Sequence, residues 1–156
     1  MIERRHRVLA PTLAGHLSGT PLAVAPDHVV PFLVDDVEQT MSDTGMETAH
    51  IVGNSLGGWV ALELARRGRA RSVVALSPAG AWRRPRDLLR LRVLFAVGGA
   101  MGSHPVVRRL LTATPMVQRA ALRRVSERPE RMSAGEVDDM LDDLAGCAVL
   151  PDLLRG

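Results

Sequence analysis

The first apolar cluster along the chain is Val8-Leu9-Ala10, cut off by Pro11. A short apolar run ending at a proline suits a buried parallel strand entering a loop, so Arg7–Ala10 is predicted as a strand. Residues 12–31 carry Gly15, Gly19, Pro21, Pro26 and Pro31 and are predicted to be irregular. From Phe32 to Thr44 the residues Phe32, Leu33, Val37 and Met41 recur at helical spacing, with Gly45 placed as a C-terminal cap. Ala49-His50-Ile51-Val52 follows as a second strand, then a glycine-rich turn and a helix from about Leu56 to Arg67, closed by Gly68. A third strand, Arg71–Leu76, is rich in β-branched residues and stops at Ser77-Pro78. Strands alternating with helices imply right-handed crossovers and a parallel sheet, hence the α/β class.

Past residue 82 the pattern turns wholly helical. Pro85 to Val97, Pro105 to Thr112, Pro115 to Val125 and Ser133 to Leu150 are the predicted helices, three of them opened by a proline at or near the first position. Ser133-Ala134-Gly135-Glu136 has the form of a capping box. The chain therefore divides into an α/β part, 1–82, and a helical part, 83–156. At 156 residues and 46% hydrophobic it has the size of one globular domain.

Charge changes this picture little. The 20 basic residues, all arginine, outweigh 17 acids, and twelve of them lie between Arg83 and Arg131 without aromatic or glycine-rich interleaving. Base stacking would have almost no aromatic side chains to use, so these arginines are read as solvated helix faces, with no nucleic-acid or membrane partner expected. The single Cys147 excludes an internal disulfide and sits in an apolar run, where a buried, inert thiol in a reducing compartment is the expectation. The N-terminal apolar run is too short for a signal-peptide core and no stretch has membrane-spanning length, so a cytoplasmic location is expected.

The chemistry concentrates at Gly53-Asn54-Ser55-Leu56-Gly57-Gly58, on the turn from a strand into a helix. A serine flanked by glycines two residues away on either side is what a nucleophile elbow requires. Side chains at Gly53 and Gly57 are expected to collide with the flanking backbone of so tight a turn. The turn would aim the Ser55 hydroxyl out of the carboxyl edge of the sheet and leave the Leu56 N–H at a helix N-terminus, where a developing oxyanion is favoured. The competing readings are glycines that serve only helix-to-sheet packing, with Ser55 as a helix cap, or a dinucleotide turn, for which the glycine spacing is wrong.

With that motif in place the chain resembles the α/β-hydrolase fold family. Arg7-Val8-Leu9-Ala10-Pro11-Thr12-Leu13-Ala14-Gly15-His16 is similar to the segment around the fourth strand of that fold, with Thr12 and Leu17 departing from its usual wording. His50 to Gly58 is similar to the fifth strand and elbow, and Val73 to Gly80 to the sixth strand and its exit. The resemblance covers Arg7 to about Trp82 by motif, and implies a helical cap from Arg83 onward. It implies a serine hydrolase of ester, amide or related acyl substrates, with Ser55 as nucleophile, Leu56 N–H as oxyanion donor and no metal or cofactor. Serine at this position argues against haloalkane dehalogenase and epoxide hydrolase relatives, which use aspartate there. In the cap, Leu88, Leu89, Leu91, Val93, Leu94 and Phe95 are candidates for an apolar acyl pocket, or else plain core.

The family's triad acid and histidine follow later strands, and its second oxyanion donor precedes the fourth, so the chain is expected to be a piece of a longer hydrolase, inactive by itself. Among the histidines, His6 and His28 have no assigned role, His16 is expected to shape a loop and His50 to be a hydrogen-bonded core residue. His104 with Asp87 is the only pair that follows Ser55 in the required order, and no strand end holds either. The alternative is a non-catalytic interaction module of the same fold. Because the family places its third strand between the fourth and fifth, Arg7–Ala10 is expected to move into that slot. The sheet would then be three-stranded, with His50–Val52 central between Arg7–Ala10 and Ser72–Leu76, marginally stable and prone to associate.

Overall fold

The computed structural model describes residues 2–16, 19–22, 24–25, 28–82 and 84–147. They form two compact units, the first ending at Pro85 and the second beginning at Arg86. In the first unit, a helix α1 (Val29–Asp43) leads into strand β1 (Ala49–Asn54), helix α2 (Leu56–Arg66) and strand β2 (Ala70–Leu76). The strands pair in parallel, as a β-α-β crossover dictates, with Ile51 opposite Val73, Val52 opposite Val74 and Asn54 opposite Leu76.

Helix α1 starts at Val29, three residues before the predicted start, because Pro31 falls in the first turn, where its missing N–H would have had no acceptor. One stripe of α1 buries Val29, Leu33, Val34, Val37 and Met41, and α2 buries Val60, Ala61 and Leu64. Both helices end on a glycine in the left-handed region, Gly45 (φ 69°) and Gly68 (φ 78°). The residue after each glycine donates back into the helix, Met46 N–H to Met41 O at 2.7 Å and Arg69 N–H to Leu64 O at 2.9 Å. Arg67, just past α2, donates to Asp35 at 2.6 Å and to Glu38 at 2.7 Å on α1. The hydrogen bond to Glu38, then that to Asp35, holds the Arg67 guanidinium above its ordinary pKa range.

The predicted strand Arg7–Ala10 does not form. Residues 7–10 are irregular, Val8 is 49% exposed and the sheet has two strands among the described residues, where β1 is an edge and not the centre. The Arg7 guanidinium instead donates to the Thr44 carbonyl at the end of α1, a helix terminus that attracts a cation. Pro11, which follows directly, has no N–H to extend a ladder. Among the described residues the sheet is covered on one face only, by α2. Residues 51 and 53 face inward, whereas His50, Val52, Asn54, Ser72, Val74 and Leu76 are exposed, Val52 by 68%. His50, expected in the core, lies on this open face, with Nδ1 2.8 Å from Ser72 Oγ.

The second unit is all helical: α3 (Pro85–Gly102), α4 (Pro105–Leu111), α5 (Pro115–Leu122) and α6 (Ala134–Ala145). Leu111, Leu122, Val137 and Leu141 are buried together, with Val107, Met132 and Met140 packed against them. Buried Gln118 is satisfied by the carbonyls of Pro129 (2.7 Å) and Met132 (2.8 Å). Helix α3 runs on through Gly98 and Gly99, where the sequence predicted its end. Gly98 and Gly102 lie four residues apart on the side facing α6, and a Cβ on either would stand 3.1 Å from a side-chain carbon of Leu144 or Leu141. Close helix packing thus outweighs the poor helix propensity of glycine. Cys147, expected to be buried, is half-exposed. The predicted continuation of the last helix to Leu150 lies outside the described residues.

The capping box of α6 is complete. Glu136 N–H donates to Ser133 Oγ at 3.2 Å, and Ser133 N–H donates to Glu136 Oε2 at 2.7 Å. The hydrogen bond from the Ser133 backbone, then that from its hydroxyl, lowers the Glu136 pKa. A lowered folded-state pKa adds stability above the ordinary glutamate range and loses it as pH falls through the folded value. Ser133→Ala should therefore destabilise the second unit by about 1 kcal/mol at pH 7. The difference between the two proteins should shrink on acidification below pH about 4, followed by far-UV circular dichroism during denaturation; a difference independent of pH would refute a contribution from the bond between the Ser133 hydroxyl and Glu136.

Candidate active site

The candidate site is built by a turn that admits no side chain at its first residue. A Cβ added to Gly53 would lie 2.1 Å from the Gly57 carbonyl oxygen and 2.7 Å from the Gly58 nitrogen. Glycine at 53 lets the end of β1 and the first turn of α2 come this close. The residue between them pays in conformation: Ser55 has φ 52° and ψ −116°, outside even the left-handed helical well.

Backbone hydrogen bonds hold that geometry. Ser55 N–H donates to Leu76 O at the end of β2 (2.9 Å), and Ser55 O accepts from Gly58 N–H (3.0 Å), Trp59 N–H (3.2 Å) and Ala79 N–H (2.9 Å). The loop leaving β2 is thereby fastened to the elbow. Ser77 in this loop also has positive φ, 44°. A Cβ on Gly58 would stand 3.1 Å from Pro78 Cα, and one on Gly80 would touch the Trp59 ring at 3.5 Å. The packing of Pro78 on Gly58 was missed from sequence, where Ser77-Pro78 was read as a strand stop and strand exit; the Gly57-Gly58 doublet was the available signal.

Of the predicted site residues, Gly53 and Gly58 are buried, Leu56 and Gly57 half-buried, and Asn54 and Ser55 exposed. The expected collision at Gly57 does not occur, since nothing lies within 4 Å of a Cβ built there. The second tight glycine is Gly58. Ser55 does not cap α2 with its side chain, and among the described residues its hydroxyl has no hydrogen-bond partner. The hydroxyl is exposed at the carboxyl end of β1. Beside it, the Leu56 N–H opens α2, at a position that has no intrahelical acceptor.

No general base is joined to the hydroxyl within this set of residues. His104 stands at the N-terminus of α4 without a side-chain cap bond, while Asp87 in the first turn of α3 pairs with Arg90 at 3.8 Å. They form no hydrogen bond with one another among the described residues. His16 lies in the loop after residue 11, where its carbonyl accepts from Gly19 N–H at 2.7 Å and its ring Nδ1 lies 3.2 Å from Ala14 O. Among the described residues, no three histidine, cysteine or carboxylate side chains gather as a metal site would require. No described helix is long and apolar enough to cross a membrane.

A tight turn between a parallel strand and the helix that follows it is the strand-turn-helix unit of an α/β fold. The profile of the alpha/beta hydrolase family matches residues 2–155, and the chain belongs to that family. It is 41% identical over 125 residues to epoxide hydrolase EphH of Mycobacterium tuberculosis, a match covering 78% of this chain and 58% of that protein. It is 40% identical over 83 residues to the dihydrolipoyllysine-residue acetyltransferase component of the acetoin cleaving system of Cupriavidus necator, covering 48% of this chain and 20% of that protein. The chain thus spans less than two thirds of the length of either relative.

Two substitutions separate steric need from strain. Gly53→Ala should destabilise the first unit by about 3 kcal/mol or more, because backbone atoms and not a flexible side chain stand in the way, whereas Gly57→Ala should be neutral or stabilising by up to about 1 kcal/mol. Ser55→Gly should stabilise by about 1 kcal/mol by relieving the strained φ. Denaturant titrations measure all three; equal effects at 53 and 57 would contradict the packing described.

Proposed function

We propose that the chain carries the nucleophile of a serine hydrolase acting on an ester, amide or related acyl compound. The observation that supports this most is the strained, exposed Ser55 beside the first-turn donors of α2. In this reading Ser55 Oγ attacks the substrate carbonyl carbon as a histidine base takes its proton. The oxyanion is held by Leu56 N–H and a second donor. The base then protonates the leaving group, and water hydrolyses the acyl-serine. In this reading the base, its orienting acid and the second donor are residues outside those described, and the hydroxyl has no hydrogen-bond partner among the described residues.

The name of the mycobacterial relative raises epoxides as substrates. Covalent catalysis of epoxide opening by serine would leave an alkyl ether on Oγ, which water does not cleave under these conditions. A carboxylate nucleophile would leave a hydrolysable ester. Ser55 therefore supports an acyl substrate for this chain. Of the six cap residues considered for an acyl pocket, Leu89 and Val93 are exposed and Leu88, Leu91, Leu94 and Phe95 half-buried. This mixture favours neither pocket nor core. A cytoplasmic location is part of the same proposal.

A fluorophosphonate probe, which requires an activated serine, should leave the 156-residue chain unlabelled. A chimera in which this chain replaces the matching segment of the mycobacterial relative should be labelled at Ser55. Ser55→Ala in the chimera should abolish labelling and lower acyl-ester hydrolysis by about five orders of magnitude. A folded chimera without labelling would favour a non-catalytic interaction module. Labelling of the isolated chain that His104→Ala removes would assign the base to His104.

A further inference from the structure

At the end of β1 opposite Ser55, the first unit has a cavity of about 970 Å³ lined in part by His6, Arg7, Glu47, His50, Arg69 and Arg71. The six residues of β1 separate it from the elbow by roughly 17 Å at 3.3 Å per residue, so it is no part of the site already described. Three guanidiniums face one carboxylate, and Arg69 is already engaged: it pairs with Glu38 at 3.5 Å and donates to Ser42 Oγ at 2.8 Å. Arg7 and Arg71 have no carboxylate partner among the described residues, Glu47 included.

The backbone gives Arg71 its place. Ala49 pairs with Ala70 but His50 pairs with Ser72, so the register skips Arg71, and the bulge leaves this residue without an opposite number in β1. Bulges of this kind re-aim a side chain at functional sites. Thr48 Oγ1 accepts from Arg71 Nε at 2.9 Å, which orients the guanidinium and leaves its two terminal nitrogens without a partner among the described residues. Arg7 spends one terminal nitrogen on the Thr44 carbonyl. Two oriented guanidiniums with unspent N–H pairs on one concave surface match the geometry of phosphate and carboxylate oxygens.

We infer that this cavity binds a small oxyanion ligand with two or more negative charges, clamped between Arg7 and Arg71. The inference stands independently of any acyl-hydrolase activity at Ser55. Isothermal titration at constant ionic strength, with pyrophosphate and citrate as separate probes, tests it. Saturable one-to-one binding with a dissociation constant of about 1 mM or tighter is expected for at least one probe, and the tighter probe identifies the ligand as phosphate or carboxylate. Arg71→Gln should weaken binding at least about tenfold, as should Arg7→Gln, which guards against a folding defect in either variant alone. Arg119→Gln, an equal loss of charge in the second unit, should leave binding unchanged. Absence of saturable binding for both probes, or equal weakening by Arg119→Gln, would overturn the inference.

Discussion

Where β1 becomes α2, the Gly53 backbone comes so near the Gly57 carbonyl that a methyl group would intrude to 2.1 Å, and the form of the first unit follows from that approach. Bringing strand and helix together over one intervening residue forces Ser55 into a conformation that costs on the order of 1–3 kcal/mol. It also turns the Ser55 carbonyl so that three N–H groups converge on it, one of them Ala79 from the far side of β2. With the Ser55 N–H bond to Leu76, four hydrogen bonds of about 0.5–1.5 kcal/mol each offset the strain. The strained serine and the pairing of β1 with β2 are in this sense one structure. Loosening either exit loop would release the conformation that exposes the hydroxyl.

The same geometry leaves the sheet unequal on its two sides. A parallel strand pair ordinarily buries both faces. Here α2 covers the face carrying Ile51 and Gly53, while Val52, Val74 and Leu76 lie open on the other. Two strands with an exposed apolar face and, among the described residues, an unpaired outer edge on β1 are a weak scaffold for a strained turn. Most of the stabilisation of the elbow must therefore come from one side, through Val60, Ala61 and Leu64 of α2 and the stripe Val29, Leu33, Val34 and Val37 of α1. The ion pairs of Arg67 with Asp35 and Glu38 join those two helices; being partly exposed, each contributes at most about 1 kcal/mol.

Local signals in the sequence were reliable wherever the deciding physics is local. Gly45 and Gly68 end helices as their spacing implied, three prolines open helices α3 to α5, and Ser133 and Glu136 close a capping box, because each effect needs only a few consecutive residues. The strand-turn-helix context of Ser55 was legible for the same reason. Signals depending on distant partners misled. Residues 7–10 read as a strand because apolar runs do, yet the Arg7 contact at Thr44 takes the segment away from the outer edge of β1. Gly98 read as a helix end because nothing in its neighbourhood announces Leu144 on another helix. His50 read as core because strand burial was assumed on both faces. The collision assigned to Gly57 belongs to Gly58, whose partner Pro78 is twenty residues away.

Arginine content illustrates how composition and position differ. Twenty arginines and a pI near 10.7 look like a surface for polyanions. Several of these cations are internal struts, however: Arg67 and Arg69 bind α1 beside the α2 terminus, and Arg108 joins the Gly102 carbonyl to Asp142 and Asp138 in the helical unit. A guanidinium can serve two acceptors at once, which an ammonium does less well, and these positions use that property. Charge spent on a carboxylate a few ångströms away contributes little field at a distance, particularly at physiological salt. The arginines that matter for recognition are therefore those without a carboxylate, and their arrangement rather than their number decides what they bind. Among the described residues Arg7 and Arg71 are such a pair, brought together by a helix terminus and a strand bulge from positions 64 residues apart in the chain.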